Sequence, residues 1–324
     1  MKLALLSDAV LPTPYEGGHG LGRMVSQIGE ALIRRGHEVT LFAKQGSRFS
    51  GELVMPEDAS GYPGEIALAR EAMRLHRSDP FDAIFDHSHV HKVAELFPTA
   101  PTLNVYHDIY QEYRHNAVLL SEGQKALMSD AFRYAPVVHN ALYPERFPFN
   151  DAPDDYVLFV GALSEIKQPL LAMEACALAG VKLVMAGGEI VGKMPFAGSE
   201  RVEYVGAVGE TERNRLMANA RVFLQLGYVE SFGLTTLEAG LCGTPVVAWA
   251  SGGNTDTVVN GVNGVFVPSY GKDNARAVAD AIDRAWHMSR YTCRNYVTER
   301  FSVDAQMDAY EHLLVRVAMG ERWA

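Results

Sequence analysis

Short apolar runs alternate with segments of helical periodicity along most of the chain. Residues 3–7 and 38–43 have the length and composition of buried strands. Between them, residues 21–35 repeat apolar positions at helical spacing, and Gly36 follows as a helix end. This alternation is typical of βαβ units, in which helices cover a parallel sheet. In the first half we predict further elements on the same grounds, namely a helix at 65–76 and strands at 81–86, 103–107 and 136–139.

A second alternating series begins after residues 144–153, whose prolines and acidic residues indicate a linker. Two such series predict an α/β protein with two Rossmann-like parallel-sheet domains, whose ligands bind at the carboxyl ends of the strands. The predicted strands of the second series are 156–161, 182–186, 202–204, 222–226, 246–249 and 265–267. Its predicted helices are 168–179, 210–220, 274–287 and 305–319.

Length and composition agree with two domains. The chain has 324 residues, 48% of them hydrophobic, which suits two domains of about 150 residues with a core each. Its net charge is -10, and its lysines and arginines are dispersed. This argues against nucleic acid as the main partner and gives no polybasic signal for anionic membranes. We therefore expect at most a peripheral membrane contact.

Several features predict a cytoplasmic protein. The three cysteines, Cys176, Cys242 and Cys293, lie in apolar sequence and are expected to be buried thiols in a reducing compartment. The chain passes from Met1 straight into a short strand and reaches Pro12 too early for a signal peptide. No apolar run approaches the ~20 residues needed to span a bilayer.

The segment 230–238 concentrates the most informative polar chemistry. Glu230 and Glu238 bracket the residues Ser-Phe-Gly-Leu-Thr-Thr-Leu. We predict a helix here that has Thr235 as its N-cap and ends near Gly243, because Pro245 cannot continue it. A helix that opens on a glycine loop presents unpaired N–H groups and a positive dipole end to an anion. With carboxylates beside it to accept from hydroxyls, the segment predicts a pocket for a ligand that carries both phosphate and sugar.

Glu238 also has a purely structural interpretation. Thr235 and Glu238 have the spacing of a capping box, in which the glutamate reaches back to a main-chain N–H. Glu230 has no such local explanation, so the compound pattern is more specific than either glutamate alone.

The pattern Glu-x7-Glu, with Phe-Gly inside and Gly-Thr-Pro-Val-Val after it, resembles the donor site of retaining GT-B glycosyltransferases of family 4, the glycosyl transferases group 1. Further matches follow in the family's order and span nearly the whole chain. They are Tyr15-Glu-Gly-Gly18, Arg35-Gly-His-Glu-Val39, Val138 to Phe147, and Gly252 to Gly264.

The resemblance implies GT-B architecture, in which two Rossmann-like domains face a central cleft and the last helix crosses back to the first domain. It implies an acceptor-binding domain at 1–146 and a nucleotide-sugar donor domain at 147–304. The segment 305–324 would be the C-terminal helix that packs on the first domain.

The resemblance also assigns charged residues to the reaction. Lys167 aligns with the family lysine that neutralises the donor diphosphate, whose departure builds negative charge. The family usually has an arginine where this chain has Ala162. Arg23 is our candidate for its replacement, and a solvated surface arginine is the alternative. His107 resembles the family histidine that touches the donor sugar, and Asp108 either orients it or caps the next segment.

The remaining donor contacts are implied by the same resemblance. Main-chain N–H groups of 231–234 would hold sugar hydroxyls and phosphate, while Glu230 would accept from the sugar and Glu238 from the ribose. The glycine loop at 17–18 would approach the donor with its main chain. The predicted catalytic residues are His107, Lys167 and Glu230. The predicted donor-binding residues are Gly17, Gly18, Arg23, Lys167, Glu230, Ser231, Phe232, Gly233, Leu234, Thr235 and Glu238. Weaker candidates, with turn formation as the alternative, are Asn140, Gly252 and Gly253.

Two other classes of site have less support. The glycines of 17–22 do not have the G-x-G-x-x-G spacing of a dinucleotide site, because position 23 is Arg23. Asp86, His87, His89 and His91 would suggest a metal site, because alternate histidines on a strand share a face. The chain is expected to turn there, however, so the shared face need not persist. We prefer the interpretation that one of these histidines contacts the acceptor. The sequence has no Asp-x-Asp pair, so we predict neither a metal nor a cofactor.

We therefore predict a metal-independent, retaining glycosyltransferase that moves a hexosyl group from a nucleotide-diphosphate sugar. The first choice of donor is a UDP- or GDP-sugar. The acceptor would be a hydroxyl of a saccharide, a lipid-linked or a small-molecule substrate. Two alternatives stay open. One is a catalytically impaired nucleotide-sugar-binding subunit, since Ala162 removes an expected cation. The other is a sugar-phosphate synthase or phosphorylase on the same fold.

Overall fold

The chain divides into two compact units in a computed structural model that describes residues 1–15, 20–109, 112–188, 201–268 and 274–323. Unit 1 consists of Met1–Asn140 together with Asp304–Ala324, and unit 2 consists of Ala141–Val303. The end of the chain therefore belongs to the same unit as its beginning. The units divide after Asn140, upstream of the predicted domain boundary at 146.

Strands and helices alternate in both units. The strands are β1 (Lys2–Leu6), β2 (Glu38–Phe42), β3 (Glu52–Val54), β4 (Ala83–Asp86), β5 (Thr102–Val105), β6 (Ala117–Val118), β7 (Tyr156–Val160), β8 (Lys182–Ala186), β9 (Val202–Gly206), β10 (Val222–Gln225), β11 (Val246–Trp249) and β12 (Gly264–Val267). The α-helices are α1 (Gly20–Arg34), α2 (Gly61–Ser78), α3 (Lys92–Leu96), α4 (Glu122–Leu127), α5 (Pro169–Ala179), α6 (Glu210–Asn219), α7 (Leu234–Leu241), α8 (Asn254–Thr257), α9 (Asn274–Trp286), α10 (Arg290–Arg300) and α11 (Val303–Ala318).

Within the described residues, each unit contains one six-stranded parallel sheet. The strand order is β3-β2-β1-β4-β5-β6 in unit 1 and β12-β11-β10-β7-β8-β9 in unit 2. Each order reverses at one point, between β1 and β4 in the first sheet and between β7 and β10 in the second. At such a switch point the loops beyond the strands diverge and leave a crevice, where doubly wound folds bind ligands.

The strands are apolar on both faces because helices cover both faces of each sheet. In β1, for example, residues 3–6 are all buried, with no alternation between an inner and an outer face. In α1 the buried positions include Leu21, Val25, Ile28 and Leu32, which recur at helical spacing on one side. The predicted alternation of strands and helices in two parallel sheets is confirmed.

Several short elements differ from the prediction. Residues 136–139, predicted as a strand, form only an isolated bridge between Leu119 and Val137, because Pro136 has no N–H with which to extend a ladder. The sequence analysis did not anticipate β3, β6, α3, α4, α8 or α10. Most of these are too short for a periodic signal, and α10 is mostly polar.

The C-terminal helix α11 packs against the rest of unit 1 and forms ion pairs with it. Tyr310 is fully buried, and its ring centroid lies 4.9 Å from that of Phe85 in β4. Arg35, just beyond α1, forms ion pairs with three acidic residues of α11, namely Asp304, Asp308 and Glu311. None of the helices in the described ranges is long and apolar enough to cross a membrane.

Candidate functional site

The glycine of the segment 230–238 starts helix α7. The helix begins at Leu234, and Gly233 is its N-cap with a φ of +93°, a conformation that residues with a Cβ rarely adopt. The prediction of Thr235 as N-cap is therefore wrong, because the helix has already begun one residue earlier. The Thr235 hydroxyl instead accepts a hydrogen bond from Gln225 Nε2 at 3.1 Å. Because Thr235 is not the N-cap, it cannot form a capping box with Glu238.

The end of α7 lies close to the predicted position. The last helical residue is Leu241, and Gly243 follows with a φ of +81°. The Thr244 N–H then donates to the Ala239 carbonyl at 2.8 Å and closes the turn. Pro245 prevents continuation, and β11 begins at the next residue, as the sequence predicts.

Lys167 and Glu230 lie together at the switch point of the second sheet. Lys167 Nζ is 2.8 Å from Glu230 Oε2, and the two side chains are 31% and 18% exposed. Lys167 follows β7 and Glu230 follows β10, and these strands are neighbours. Gln225 Nε2 also donates to Glu230 Oε2, at 3.3 Å. Glu230 comes shortly before the N-terminus of α7 in the sequence, and the partly exposed ammonium of Lys167 lies beside it. In this arrangement the cation can bind a diphosphate while the carboxylate accepts from a hydroxyl next to it.

Gly252 and Gly253 support this loop. The Gly253 N–H donates to the Glu230 carbonyl at 2.7 Å. A Cβ on Gly253 would overlap the main chain of Phe232, with the carbonyl carbon only 2.7 Å away. A Cβ on Gly252 would lie 3.3 Å from the Glu230 nitrogen. Both glycines are therefore needed for close packing of two main-chain segments.

The other residues of the motif differ in exposure. Phe232 is buried and packs edge-on against Phe301, with 5.8 Å between ring centroids. Ser231, Leu234 and Thr235 are half-buried at the start of α7.

The resemblance implies two cations for the donor diphosphate, Lys167 and an arginine at position 162, and unit 2 has only the first of them. Ala162 is exposed in the loop after β7 and supplies no charge where an arginine was expected. From the same loop, Lys167 supplies a positive charge beside Glu230.

Glu238 lies deeper than Glu230. Its side chain is only 1% exposed, and Oε2 is 3.2 Å from Nε of Arg213, whose side chain is 7% exposed. Arg213 belongs to α6, so the ion pair joins two neighbouring helices. Sequence reasoning missed Arg213, because a helix with exposed acidic and basic residues around it gave no sign that this arginine is buried.

In unit 1, His107 is half-buried just beyond β5, and its Nε2 lies 3.0 Å from Nδ1 of His87. His87 is fully buried at the end of the neighbouring strand β4. Burial, opposed in part by the charge of Asp86, lowers the pKa of His87 to about 3. The sequence analysis singled out both histidines but did not connect them.

The other histidines of the segment 86–91 have separate partners. His89 Nδ1 lies 3.0 Å from the buried carboxylate of Glu65, which also accepts the main-chain N–H groups of His89 and Val90. His91, with a φ of +45°, has Nδ1 3.8 Å from Asp86. The histidines therefore do not converge. Across the described part of the chain, no group of three or more His, Cys, Asp or Glu side chains could hold a metal ion.

Four further candidates from the sequence belong to unit 1. Arg23 is half-buried in the first turn of α1. Asn140 is buried, with its side-chain oxygen 3.5 Å from Gln306 Nε2 of α11. Gly17 and Gly18 lie outside the described residues.

Residues 145–300 match the sequence model of a family described as "Glycosyl transferases group 1". The matched region includes Lys167, the segment 230–238 and the 252–253 turn that supports it. This match shows similarity to the family over residues 145–300.

Solved structures are similar in fold to the whole chain. AviGT4, a glycosyltransferase involved in avilamycin A biosynthesis, has a TM-score of 0.79 at 22% identity, covering 100% of this chain and 99% of that one. HepE from Anabaena, crystallised in complex with UDP-glucose, has a TM-score of 0.70 at 17% identity, covering 97% of this chain and 99% of that one. At such identities the likeness shows the fold, which is the two-domain, Rossmann-like GT-B fold that the resemblance implied.

Curated relatives of this chain match over part of their length. The D-inositol 3-phosphate glycosyltransferase of Mycobacterium bovis (strain BCG / Pasteur 1173P2) is 33% identical over 188 residues, which are 51% of this chain and 38% of the relative. The matched part thus spans less than half the length of that relative.

Proposed function

We propose that this chain is a retaining glycosyltransferase of family 4 that moves a hexosyl group from a nucleotide-diphosphate sugar to a hydroxyl acceptor in the cytoplasm without a metal ion. The observation that carries the proposal is the ion pair of Lys167 and Glu230 before the N-terminus of α7. The match of residues 145–300 to the model of the glycosyl transferases group 1 supports it. So do the UDP-glucose bound by one structural neighbour and the name of the glycosyltransferase relatives.

Unit 2 is the donor-binding unit in this proposal, and the donor is a UDP- or GDP-sugar. Its diphosphate binds Lys167 Nζ and main-chain N–H groups at the start of α7. Glu230 accepts a hydrogen bond from a sugar hydroxyl, while main-chain groups of 231–234 hold the remaining sugar and phosphate oxygens. Glu238 accepts from the ribose, which requires its carboxylate, now covered by Arg213, to become accessible.

The reaction breaks the bond between the anomeric carbon and the diphosphate oxygen. Negative charge then builds on the leaving nucleoside diphosphate, and Lys167 and the dipole of α7 stabilise it in the place of a divalent cation. The acceptor hydroxyl attacks from the face that the phosphate leaves, so the configuration of the sugar is retained. The departing phosphate oxygen takes the acceptor proton, and this balances the step without a protein nucleophile.

Unit 1 binds the acceptor, and its His107 touches the donor sugar near the reacting carbon. A saccharide, a lipid-linked or a small-molecule hydroxyl all fit this assignment. A second candidate, transfer to a phosphorylated acceptor, is favoured by the name of the D-inositol 3-phosphate glycosyltransferase relatives.

A thermal-shift screen against UDP-, GDP- and ADP-glucose tests the proposal, because a ligand that binds the folded state stabilises it by mass action. The matched sugar nucleotide should raise the melting temperature, and slow hydrolysis of that donor should follow without any acceptor. Lys167→Ala and Glu230→Ala should abolish hydrolysis.

The control pair in the same unit is Lys182 and Glu203, which lie 2.6 Å apart with both side chains 51% exposed. Lys182→Ala and Glu203→Ala should leave donor binding and hydrolysis intact. If the donor binds but is not turned over with any acceptor tested, the proposed enzymatic activity is contradicted and a binding subunit is favoured. A metal requirement, seen as activity abolished by EDTA and restored by Mg²⁺, would contradict metal independence.

A further inference from the structure

Gln225 connects Glu230 to the first turn of α7. It is the last residue of β10 and is buried. Its Nε2 lies 3.3 Å from Glu230 Oε2 and 3.1 Å from Thr235 Oγ1. Because β10 is paired on both sides, with β7 and with β11, the sheet fixes the main chain that carries Gln225.

The chemistry of its partners decides the orientation of the Gln225 amide. A carboxylate can only accept, so the amide nitrogen, and not the amide oxygen, faces Glu230. Nε2 carries two N–H groups, and the two contacts use one each. Glu230 Oε2 therefore accepts from two side chains, the amide of Gln225 and the ammonium of Lys167.

The two donors to Glu230 differ in how easily a ligand can remove them. Lys167 lies in the loop between β7 and α5, and its side chain is 31% exposed, so a diphosphate can draw its ammonium away. Gln225 is buried and belongs to a strand inside the sheet. It therefore keeps its contact with Glu230 when Lys167 turns to the diphosphate.

Gly227 leaves room for both of these side chains. A Cβ at this position would lie 3.2 Å from Lys167 Cδ and 3.6 Å from Gln225 Oε1. The stem of Lys167 and the amide of Gln225 thus lie beside the same glycine. Both reach the carboxylate of Glu230 from there.

We infer that Gln225 is a positioning residue for the proposed reaction. It holds the Glu230 carboxylate beside the first turn of α7 after the diphosphate has drawn Lys167 away, so that Glu230 accepts from a sugar hydroxyl. The inference rests on the proposed function for the statement that Glu230 meets the donor sugar. The contact between Gln225 and Glu230 is a property of the protein alone.

The first test compares a ligand that has a sugar with one that lacks it, on the full chain. Isothermal titration calorimetry measures binding of UDP-glucose and of UDP, or of the pair whose base the thermal-shift screen selects. Gln225→Leu should weaken binding of the sugar nucleotide about tenfold and that of the nucleoside diphosphate less than about twofold, because only the sugar contact depends on Glu230. Equal weakening of both ligands, or of neither, would overturn the inference.

Tyr156→Phe is the matched control in unit 2. Tyr156 is buried at the start of β7, and its hydroxyl donates to the Leu216 carbonyl at 2.7 Å. This variant also loses one buried hydrogen bond, but it should bind both ligands as the wild type does. If Gln225→Leu is too unstable to assay, Gln225→Met, which is unbranched like glutamine, takes its place, and the same outcomes decide.

A double-mutant cycle shows whether Gln225 acts through Glu230. In a Glu230→Ala background, Gln225→Leu should change the affinity for the sugar nucleotide less than about twofold, since no carboxylate is left to position. A further loss of about tenfold in this background would overturn the positioning role, because Gln225 would then act independently of Glu230.

The contact itself is measurable without a ligand. In ¹H–¹⁵N spectra, Gln225→Leu identifies the side-chain amide signals of Gln225. Glu230→Ala should shift these signals, whereas Glu203→Ala, from the exposed Lys182–Glu203 pair, should leave them in place. Signals that do not move in Glu230→Ala would overturn the inference. A wild type that binds no sugar nucleotide would refute the proposed function instead, and the spectra would still decide whether Gln225 holds Glu230.

Discussion

Lys167 Nζ lies 2.8 Å from Glu230 Oε2, and this ion pair connects the two loops that flank the switch point of the second sheet. A partly exposed pair of this kind contributes about 0–1 kcal/mol to stability, so its main consequence concerns ligands. A diphosphate that binds Lys167 competes with Glu230 for the same ammonium group. Its arrival therefore frees the carboxylate to accept from a sugar hydroxyl.

This exchange predicts opposite effects for the two partners. Lys167→Gln should weaken binding of the matched nucleoside diphosphate, which has no sugar, at least tenfold, or about 1.4 kcal/mol. Glu230→Gln should bind it as tightly as the wild type or up to several-fold tighter, because Nζ no longer has to leave a carboxylate. Isothermal titration calorimetry measures both constants, and Lys182→Gln, from the exposed Lys182–Glu203 pair, is the control.

The prediction also covers the intact sugar nucleotide. There Glu230→Gln should lose affinity, because an amide accepts less strongly from a hydroxyl than a carboxylate does. Equal losses of nucleoside diphosphate affinity in both variants would contradict the exchange and would indicate that the pair acts as one unit.

The turn at 252–253 gives a prediction for the shape of the same loop. Gly253→Ala should lower the free energy of unfolding by about 1–3 kcal/mol and weaken nucleoside diphosphate binding at least tenfold, because the new Cβ would displace the main chain of Phe232. Gly209→Ala is the matched control, as a Cβ there meets no atom within 4 Å and φ is -73°. Wild-type affinity in Gly253→Ala would show that the loop tolerates the shift.

Periodicity predicted most of the architecture. Strands that are buried on both faces, such as β1 and β7, can be recognised from their continuous apolar sequence. The parallel sheets follow from the alternation of such strands with helices. The short elements could not be found in this way. In β6, for instance, two residues carry no pattern, and the strand exists because β5 offers it a paired edge.

The candidate site was predictable where its chemistry is local in sequence. Glu230 and Gly233 belong to one continuous segment, and family resemblance added Lys167. Contacts between distant residues were not predictable, because a single sequence does not show which side chains meet. The pairing of His107 with His87 and that of Glu238 with Arg213 both depend on tertiary structure.

The buried carboxylate of Glu65 predicts a pH-dependent contribution to stability. It raises the pKa of His89 against the opposing effect of burial. A histidine whose pKa is raised by folding stabilises the protein fully below its unfolded pKa of about 6.5, and this contribution is lost as the pH rises through the raised value. The free energy of unfolding lost in Glu65→Gln should therefore be larger at pH 5.5 than at pH 9.

Urea denaturation at several pH values measures this difference. A constant loss at all pH values is also expected in Glu65→Gln, because the amide cannot accept from both main-chain N–H groups that the carboxylate holds. Glu71→Gln on the same helix is the control, as Glu71 pairs with the exposed Arg74 and has no histidine partner among the described residues. A loss in Glu65→Gln that is the same at every pH would contradict a charged His89–Glu65 pair.

Arg213 and Arg215 lie two residues apart on α6 and predict very different costs of substitution. Arg213 is buried against Glu238, whereas Arg215 is exposed and pairs with Glu212 one turn away. Arg213→Met should destabilise by about 3–5 kcal/mol, because it leaves the Glu238 carboxylate buried without its counter-charge. Arg215→Met should cost less than about 1 kcal/mol. The double substitution of Arg213→Met and Glu238→Gln should recover most of the loss in chemical denaturation, since no buried charge then lacks a partner. A double variant as unstable as Arg213→Met alone would show instead that the packing of the arginine stem, and not the ion pair, holds α6 against α7.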